Sequence, residues 1–224
     1  MTLWSTSIGK KAVMAATGFI LIGFVIGHML GNLKLYQGEE KFNNYATFLR
    51  EVGAPVLGNS QFLWAARLIL LTATVLHIVA AVQLTRMSYA ARPVSYERRE
   101  AVESTYASRT MRWSGVIITL FVVYHILHFT FGVVGYGPGQ YQPMSVYRNV
   151  VNGFSVWYVA AFYIAAMVAL GLHMYHGVWS MFQTLGLNNA RADRFYRALA
   201  TALSLAVVLG NVSFPVAVLA GFVR

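Results

Sequence analysis

Long apolar stretches separated by short polar segments dominate the chain. Lysine, arginine, aspartate and glutamate are absent from residues 12–33, 68–85, 113–147, 149–190 and 198–223. An α-helix rises about 1.5 Å per residue, so about 20 apolar residues cross a hydrocarbon core of about 30 Å. The pattern therefore predicts an all-α integral membrane protein. Residues 1–224 are predicted to form one bundle with spans at about 11–33, 62–86, 112–135, 155–183 and 198–222.

The basic residues predict the orientation of this bundle. Eleven lysines and arginines fall at the end that carries the N-terminus and five at the other, while Arg67 lies inside the second span. Because cytoplasmic loops carry the excess of basic residues, the N-terminus is predicted to be cytoplasmic. On the outer side, GEEKFNNYATFLREVGAP (38–55) has apolar residues at helical spacing and predicts an interfacial helix. GYGPGQYQP (135–143) predicts an irregular outer loop.

Composition narrows the chemistry that the chain supports. It is 58% hydrophobic and 11% charged, with a mean hydropathy of +0.57, whereas a soluble domain has about 25% charged residues. Cysteine is absent, which excludes thiolate-bound iron–sulfur clusters, covalently attached c-type haem and disulfides within the chain. The net charge of +10 does not indicate nucleic-acid binding, because no basic stripe with interleaved aromatic residues occurs outside the loops.

Histidine is the ionisable residue of the predicted spans. No acidic residue lies in any span, which disfavours a carboxylate path for protons or cations. Intramembrane ionisable residues are functional candidates, although a lone histidine also serves to hydrogen-bond a neighbouring helix. All six histidines of the chain lie within the spans: His28, His77, His125, His128, His173 and His176.

Depth sorts these histidines into two levels. Measured from the cytoplasmic end at about 1.5 Å per residue, His28 lies about 25 Å deep and His125 about 20 Å deep. His77 and His173 lie roughly 13 and 15 Å from the same end. Four helices thus each present an imidazole at one of two levels roughly 10 Å apart, too far for one zinc ion to bridge. The arrangement predicts two b-type haems, each with two axial histidines, stacked inside the bundle.

Spans 3 and 4 each offer a second histidine. His128 and His176 follow His125 and His173 by three residues, which is about 60° around a helix. On depth alone, His128 matches His28 better than His125 does. Spacing leaves the choice within each of these two spans open.

Four motifs in order resemble a known membrane family. The chain contains, in this order, GHMLGN followed by GEEKFNNYATFLRE, then VLHIVAAV, SGVIITLFVVYHILHF and LHMYHGVWSMFQTLG. These motifs are similar to those of the two-haem cytochrome b subunit of succinate:quinone oxidoreductases, which include the fumarate reductases. The resemblance implies axial pairs of His28 with His125 for an outer haem and His77 with His173 for an inner haem. It implies hydrogen-bonding or packing roles for His128 and His176.

The resemblance also implies a function and partners. The chain is expected to carry electrons between succinate or fumarate chemistry and a membrane quinone, commonly menaquinone, as the anchor of respiratory complex II in the tricarboxylic acid cycle. It has no Gly-rich flavin-binding unit and no cluster cysteines, so we expect separate flavoprotein and iron–sulfur subunits on the cytoplasmic side of the inner membrane. The alternatives are a quinol:fumarate reductase, a hydrogenase- or formate-dehydrogenase-type haem anchor, and a transporter that uses histidine for proton handling.

The remaining candidates concern protons, quinone and packing. Some fumarate reductases carry a glutamate in the fourth span where this chain has Gly171, which argues against a transmembrane proton path of that kind. Glu51 is the positional candidate for a carboxylate near an outer quinone site, with a solvated surface glutamate as the alternative. Arg67 is expected to extend outward or to pair with a buried anion. Glycines at every fourth position of span 1 predict close helix packing, with room for a flat macrocycle beside His28 as the alternative for the second of them: Gly23, Gly27 and Gly31.

Overall fold

A computed structural model describes residues 3–91 and 106–224. The described residues are helical and contain no strand. Arg92, Arg98 and Arg99, three of the basic residues assigned to the cytoplasmic end, lie outside the described residues. Within these two ranges the chain forms seven α-helices: α1 (Ser7–Asn32), α2 (Glu39–Glu51), α3 (Gln61–Ala90), α4 (Tyr106–His125), α5 (Val146–Phe154), α6 (Trp157–Thr184) and α7 (Ala192–Leu219).

Five of the described helical segments are long and apolar enough to cross a membrane. They are Ser7–Gln37, Gln61–Ala90, Thr110–Thr130, Trp157–Thr184 and Ala192–Leu219, which confirms the five predicted spans. Three helices, α1, α4 and α7, begin several residues earlier than the charge pattern predicts. The hydroxyl of Thr6 caps α1 by accepting a hydrogen bond from the Gly9 N–H at 3.0 Å, and α7 includes the charged residues Asp193 and Arg197 in its first turns.

Two short helices lie together at one end of the bundle. The predicted interfacial helix is α2; the sequence did not predict α5. The Tyr147 N–H donates to the Asn43 side-chain oxygen at 3.1 Å, and Arg148 pairs with Glu39 at 2.7 Å. The hydrogen bond that Arg148 donates to Glu39 raises the pKa of Arg148. We call this the outer end, following the predicted orientation, and the end with the N-terminus the inner end.

The long helices pack as two groups. One group is α1 with α3, and the other is α6 with α4 and α7; α1 also touches α6 and α7. Within the described ranges, α3 has no comparable packing against α4 or α6. Over an 18-residue apolar segment of each helix, 11% of the residues of α3 are buried, against 39% of those of α6. On its side toward α4 and α6, α3 therefore has no closely packed neighbour among the described helices.

Close approach of α7 to its neighbours requires glycine at two positions. A Cβ atom on Gly171 of α6 would lie 2.4 Å from Cγ2 of Val208, and one on Gly210 would lie 2.3 Å from Sδ of Met29. By contrast, the prediction of close packing along the span 1 glycines is wrong for Gly23 and Gly27, where an added Cβ would meet nothing within 4 Å. Only the third glycine of that series is in close contact, with the ring of Tyr45.

Candidate functional site

Two pairs of histidine rings lie between the two helix groups. Toward the outer end, His28 of α1 faces His125 of α4 with ring centroids 5.9 Å apart and planes at 89°. Toward the inner end, His77 of α3 faces His173 of α6 with centroids 6.3 Å apart and planes at 57°. The fold therefore brings together the four histidines singled out from the sequence, in the pairs that the resemblance implies.

These separations suit two imidazoles on opposite sides of one metal ion. A metal–imidazole bond of about 2.0–2.1 Å, with roughly 1.1 Å more to the ring centre, puts two such rings about 6.3 Å apart. Each ring is free to turn about its bond to the metal, so both interplanar angles are compatible with this arrangement. Among the described residues, no group of three or more histidine, cysteine, aspartate or glutamate side chains comes together. The geometry thus suits a cofactor that needs two protein ligands, as haem does.

The two pairs lie at well-separated levels. A Cβ atom added to Gly18 would lie 3.5 Å from Cε1 of His77, and one added to Gly115 would lie 3.8 Å from Cε1 of His173. His28 lies 10 residues beyond Gly18 on α1, and His125 lies 10 residues beyond Gly115 on α4. Both helices therefore give a separation of about 15 Å, larger than the rough 10 Å that counting from the span ends predicts.

Backbone-anchored hydroxyl groups orient both rings of the inner pair. Thr17 Oγ1 lies 3.1 Å from His77 Nδ1 and donates its hydrogen to the Val13 carbonyl at 2.8 Å. Ser114 Oγ lies 3.2 Å from His173 Nδ1 and donates to the Met111 carbonyl at 3.1 Å. Because each hydroxyl hydrogen is used on the backbone, the hydroxyl oxygen is left to accept from Nδ1–H. This leaves the Nε2 lone pair of each ring available for a metal, the usual arrangement of a ligating histidine.

A tyrosine takes the corresponding place in the outer pair. Tyr163 is 5% exposed, and its hydroxyl lies 3.4 Å from His125 Nδ1. The same hydroxyl lies 2.9 Å from Nδ1 of His128. One phenol therefore joins the proposed ligand His125 to a second histidine on the same helical segment.

His128 lies in a closed pocket outside the space between the helices. Its ring is 0% exposed and sits in a π-helical turn, Ile126–Thr130, directly after α4. A Cβ on Gly135 or Gly153 would come within 2.7 or 2.6 Å of the ring, so both positions need glycine. Its Nε2 has no hydrogen-bond partner among the described residues. The ring that faces His28 is therefore that of His125, and not that of His128 as depth alone suggests.

The outer loop closes this pocket. The ring of Tyr136 lies 4.6 Å from that of His128, and its hydroxyl donates to the Asn149 carbonyl at 3.0 Å. Burial raises the pKa of Tyr136, so this hydroxyl stays protonated and keeps its donor. The loop and α5 thus hold His128 in place.

The other candidates lie apart from the two pairs. His176 of α6 makes an edge contact with Trp179 at 6.1 Å, and its Nδ1 is buried with no partner among the described residues. The guanidinium of Arg67 lies over the ring of Trp64 at 4.9 Å. Glu51 is the exposed last residue of α2. The described contacts connect none of these residues to the paired histidines.

Comparison with known proteins identifies a family for this chain. The profile described as "Succinate dehydrogenase/Fumarate reductase transmembrane subunit" matches residues 90–210, more than half of the chain. The chain belongs to this family. It is therefore a multi-pass membrane subunit of a succinate dehydrogenase/fumarate reductase type of oxidoreductase complex. No curated protein and no solved structure gives a significant match.

The matched region covers one member of each histidine pair. It includes His125 and His173, and it excludes His28 and His77. The transmembrane subunit thus carries half of each pair in its family region, and the fold supplies the other half from α1 and α3. The pairing rests on the geometry and does not depend on the match.

Proposed function

We propose that this transmembrane subunit holds two b-type haems and links a succinate dehydrogenase to the membrane quinone pool. His28 and His125 would hold the outer haem, and His77 and His173 the inner one. The observation that carries the proposal is the pair of ring separations, 5.9 and 6.3 Å, between helices that otherwise pack little against each other. When bound, haem supplies reversible one-electron chemistry.

The protein's part in this function is to fix the ligands and keep water away. Hydroxyls of Thr17 and Ser114 keep Nδ1 of the inner histidines protonated and their Nε2 atoms free. Phe121 and Phe129 lie against the ring of His125, and apolar neighbours of this kind lower the local dielectric around a ligand. Arg67, Glu51, His128 and His176 have no assigned place in this ligand set.

The proposal includes partners that the chain lacks. With no cysteine, the subunit needs a separate iron–sulfur protein, and a flavoprotein with it, to act on succinate. We place these subunits against the basic inner end, on the cytoplasmic side of the inner membrane, where complementary charge would guide their docking. The quinone is proposed to be menaquinone, and succinate oxidation is the proposed direction, with quinol:fumarate reduction as the reverse.

Purification of the complex with its partner subunits tests the proposal. The wild type should show a low-spin haem b spectrum and two haems per chain in a pyridine haemochrome assay. His173→Ala should remove the inner haem, and His28→Ala the outer haem. His176→Ala is the matched control on α6, three residues from His173, and should retain both.

The outcomes separate the alternatives clearly. A wild-type complex without haem would refute the proposal, and loss of haem in His176→Ala but not in His173→Ala would refute the ligand assignment. A haem-containing complex without flavin or succinate-dependent quinone reduction would favour a hydrogenase- or formate-dehydrogenase-type partner, which the family match already disfavours. Substrate uptake without any haem signal would favour a transporter.

A further inference from the structure

His125 of the outer pair differs from both inner histidines in the group that stands behind its Nδ1 atom. Behind His77 and His173 are aliphatic hydroxyls whose hydrogens end on backbone carbonyls at 2.8 and 3.1 Å. Behind His125 is a phenol placed between two imidazoles, at 3.4 and 2.9 Å. The inference that follows rests on the proposed function, because it concerns how His125 would behave as an axial ligand.

The direction of the hydrogen bonds follows from ligation. If Nε2 of His125 binds the metal, its Nδ1 carries the proton and donates to the Tyr163 oxygen. The phenol has one hydrogen, which then points to Nδ1 of His128, the shorter of its two contacts. His128 consequently carries its own proton on Nε2. The chain of donors runs in one direction, from His125 through Tyr163 to His128.

Such a chain strengthens the first hydrogen bond. An imidazole nitrogen is a more basic acceptor than a peptide carbonyl, so it polarises the phenol O–H more strongly than a backbone group would. Linked hydrogen bonds polarise one another, which makes the phenol oxygen a better acceptor for the Nδ1–H of His125. A stronger acceptor behind an axial histidine raises its basicity and fixes the orientation of its ring.

The fold maintains this chain rigidly. Tyr163 lies in the bundle core, and its ring makes an edge contact with Phe154 at 5.0 Å. His128 cannot swing away, because Gly135 and Gly153 place backbone against its ring. The π-helical turn that carries it directly follows His125, and turns of this kind occur often at functional sites.

We propose that Tyr163 and His128 are positioning residues for His125, which together orient its ring and lower the midpoint potential of the outer haem. A more basic axial ligand favours ferric over ferrous iron, so loss of the chain should raise that potential. The inner haem, with its own hydroxyl partners about 15 Å away along the bundle, should not respond. The inner haem therefore serves as an internal reference in every variant.

Potentiometric titration of both haems in the intact complex tests the inference, with the outer haem identified as the one lost in His28→Ala. Tyr163→Phe should raise the outer potential alone and change the low-spin ferric electron paramagnetic resonance signal of that haem. His128→Leu should shift the outer potential in the same direction. In His128→Asn the side-chain oxygen takes the place of Nδ1, so the potential should return toward the wild-type value. Tyr158→Phe, on the same helix but 62% exposed, is the matched control.

Contrary results are equally specific. An unchanged outer potential in Tyr163→Phe, or equal shifts of both haems, would overturn the inference and leave the ligand assignment intact. If Tyr163→Phe does not assemble, the comparison of His128→Leu with His128→Asn decides, and identical potentials in these two variants would refute the positioning role. Absence of haem from the wild type would instead refute the proposed function itself.

Discussion

Removal of one hydroxyl should loosen the inner haem selectively. Thr17 is 5% exposed, and its Oγ1 lies 3.1 Å from His77 Nδ1. Thr17→Val keeps the shape of the side chain and removes the hydroxyl acceptor, so the ring N–H of His77 is left with the Met14 carbonyl as its remaining partner. That loss costs about 1–3 kcal/mol, which is between about 5- and 150-fold in an equilibrium constant. Outer partners of metal-bound histidines typically contribute about 10–100-fold to metal affinity, the same range.

Haem transfer to excess apomyoglobin measures this loss. The purified complex should release its inner haem 10–100-fold more readily in Thr17→Val, with the outer haem unaffected. Ser114→Ala should act in the same way through His173. Thr119→Val is the control, because Thr119 also donates to a backbone carbonyl, at 2.8 Å, but is exposed. If Thr17→Val retains its inner haem as tightly as Thr119→Val, the hydroxyl does not support the ligand and the reasoning fails.

Two further predictions concern the scaffold. Gly171→Ala should destabilise the complex by about 1–3 kcal/mol relative to Gly177→Ala. The new methyl group of Gly171→Ala would lie 2.4 Å from Val208, whereas an added Cβ on Gly177 meets nothing within 4 Å. Thermal denaturation in detergent measures the difference, and equal midpoint temperatures would contradict the prediction. Glu39→Gln should leave the midpoint temperature of thermal denaturation almost unchanged in low and in high salt. The ion pair of Glu39 with Arg148 is solvent-exposed, and exposed ion pairs contribute little to stability. A midpoint lowered by several degrees would show instead that this pair anchors α2 to α5.

The spans were predictable because the membrane imposes one strong constraint on the sequence. Every backbone group in hydrocarbon must be paired within a helix, so charge-free stretches of about 20 residues identify the helices. Their ends were less predictable, since a helix continues into the interface when its charges find partners there. Arg197 lies in the second turn of α7 with Asp193 at 2.7 Å, so the helix starts before the apolar stretch. α5 was missed because it is too short to span and carries Arg148 and two asparagines.

The histidine levels were predictable from depth, but the supporting side chains were not. Thr17 and His77 are 60 positions apart, Ser114 and His173 are 59 apart, and no local pattern connects residues so distant in sequence. The available signal was a small hydroxyl residue within or beside an apolar stretch, on a helix predicted to face a histidine. The choice between His125 and His128 depends on the π-helical turn and on two glycines from other segments, which spacing alone does not encode.

The weak attachment of α3 has a consequence for how the protein is made. This helix packs along α1 and only lightly on α2, so after insertion into the membrane it lacks a partner on the side of α4 and α6. On the proposed function, the inner haem would join α3 to α6 and the outer haem would join α1 to α4, so cofactor binding would complete the packing of the helices. A cell short of haem would then hold incompletely assembled anchors open to membrane proteases, and haem supply would set the amount of complex that the membrane contains.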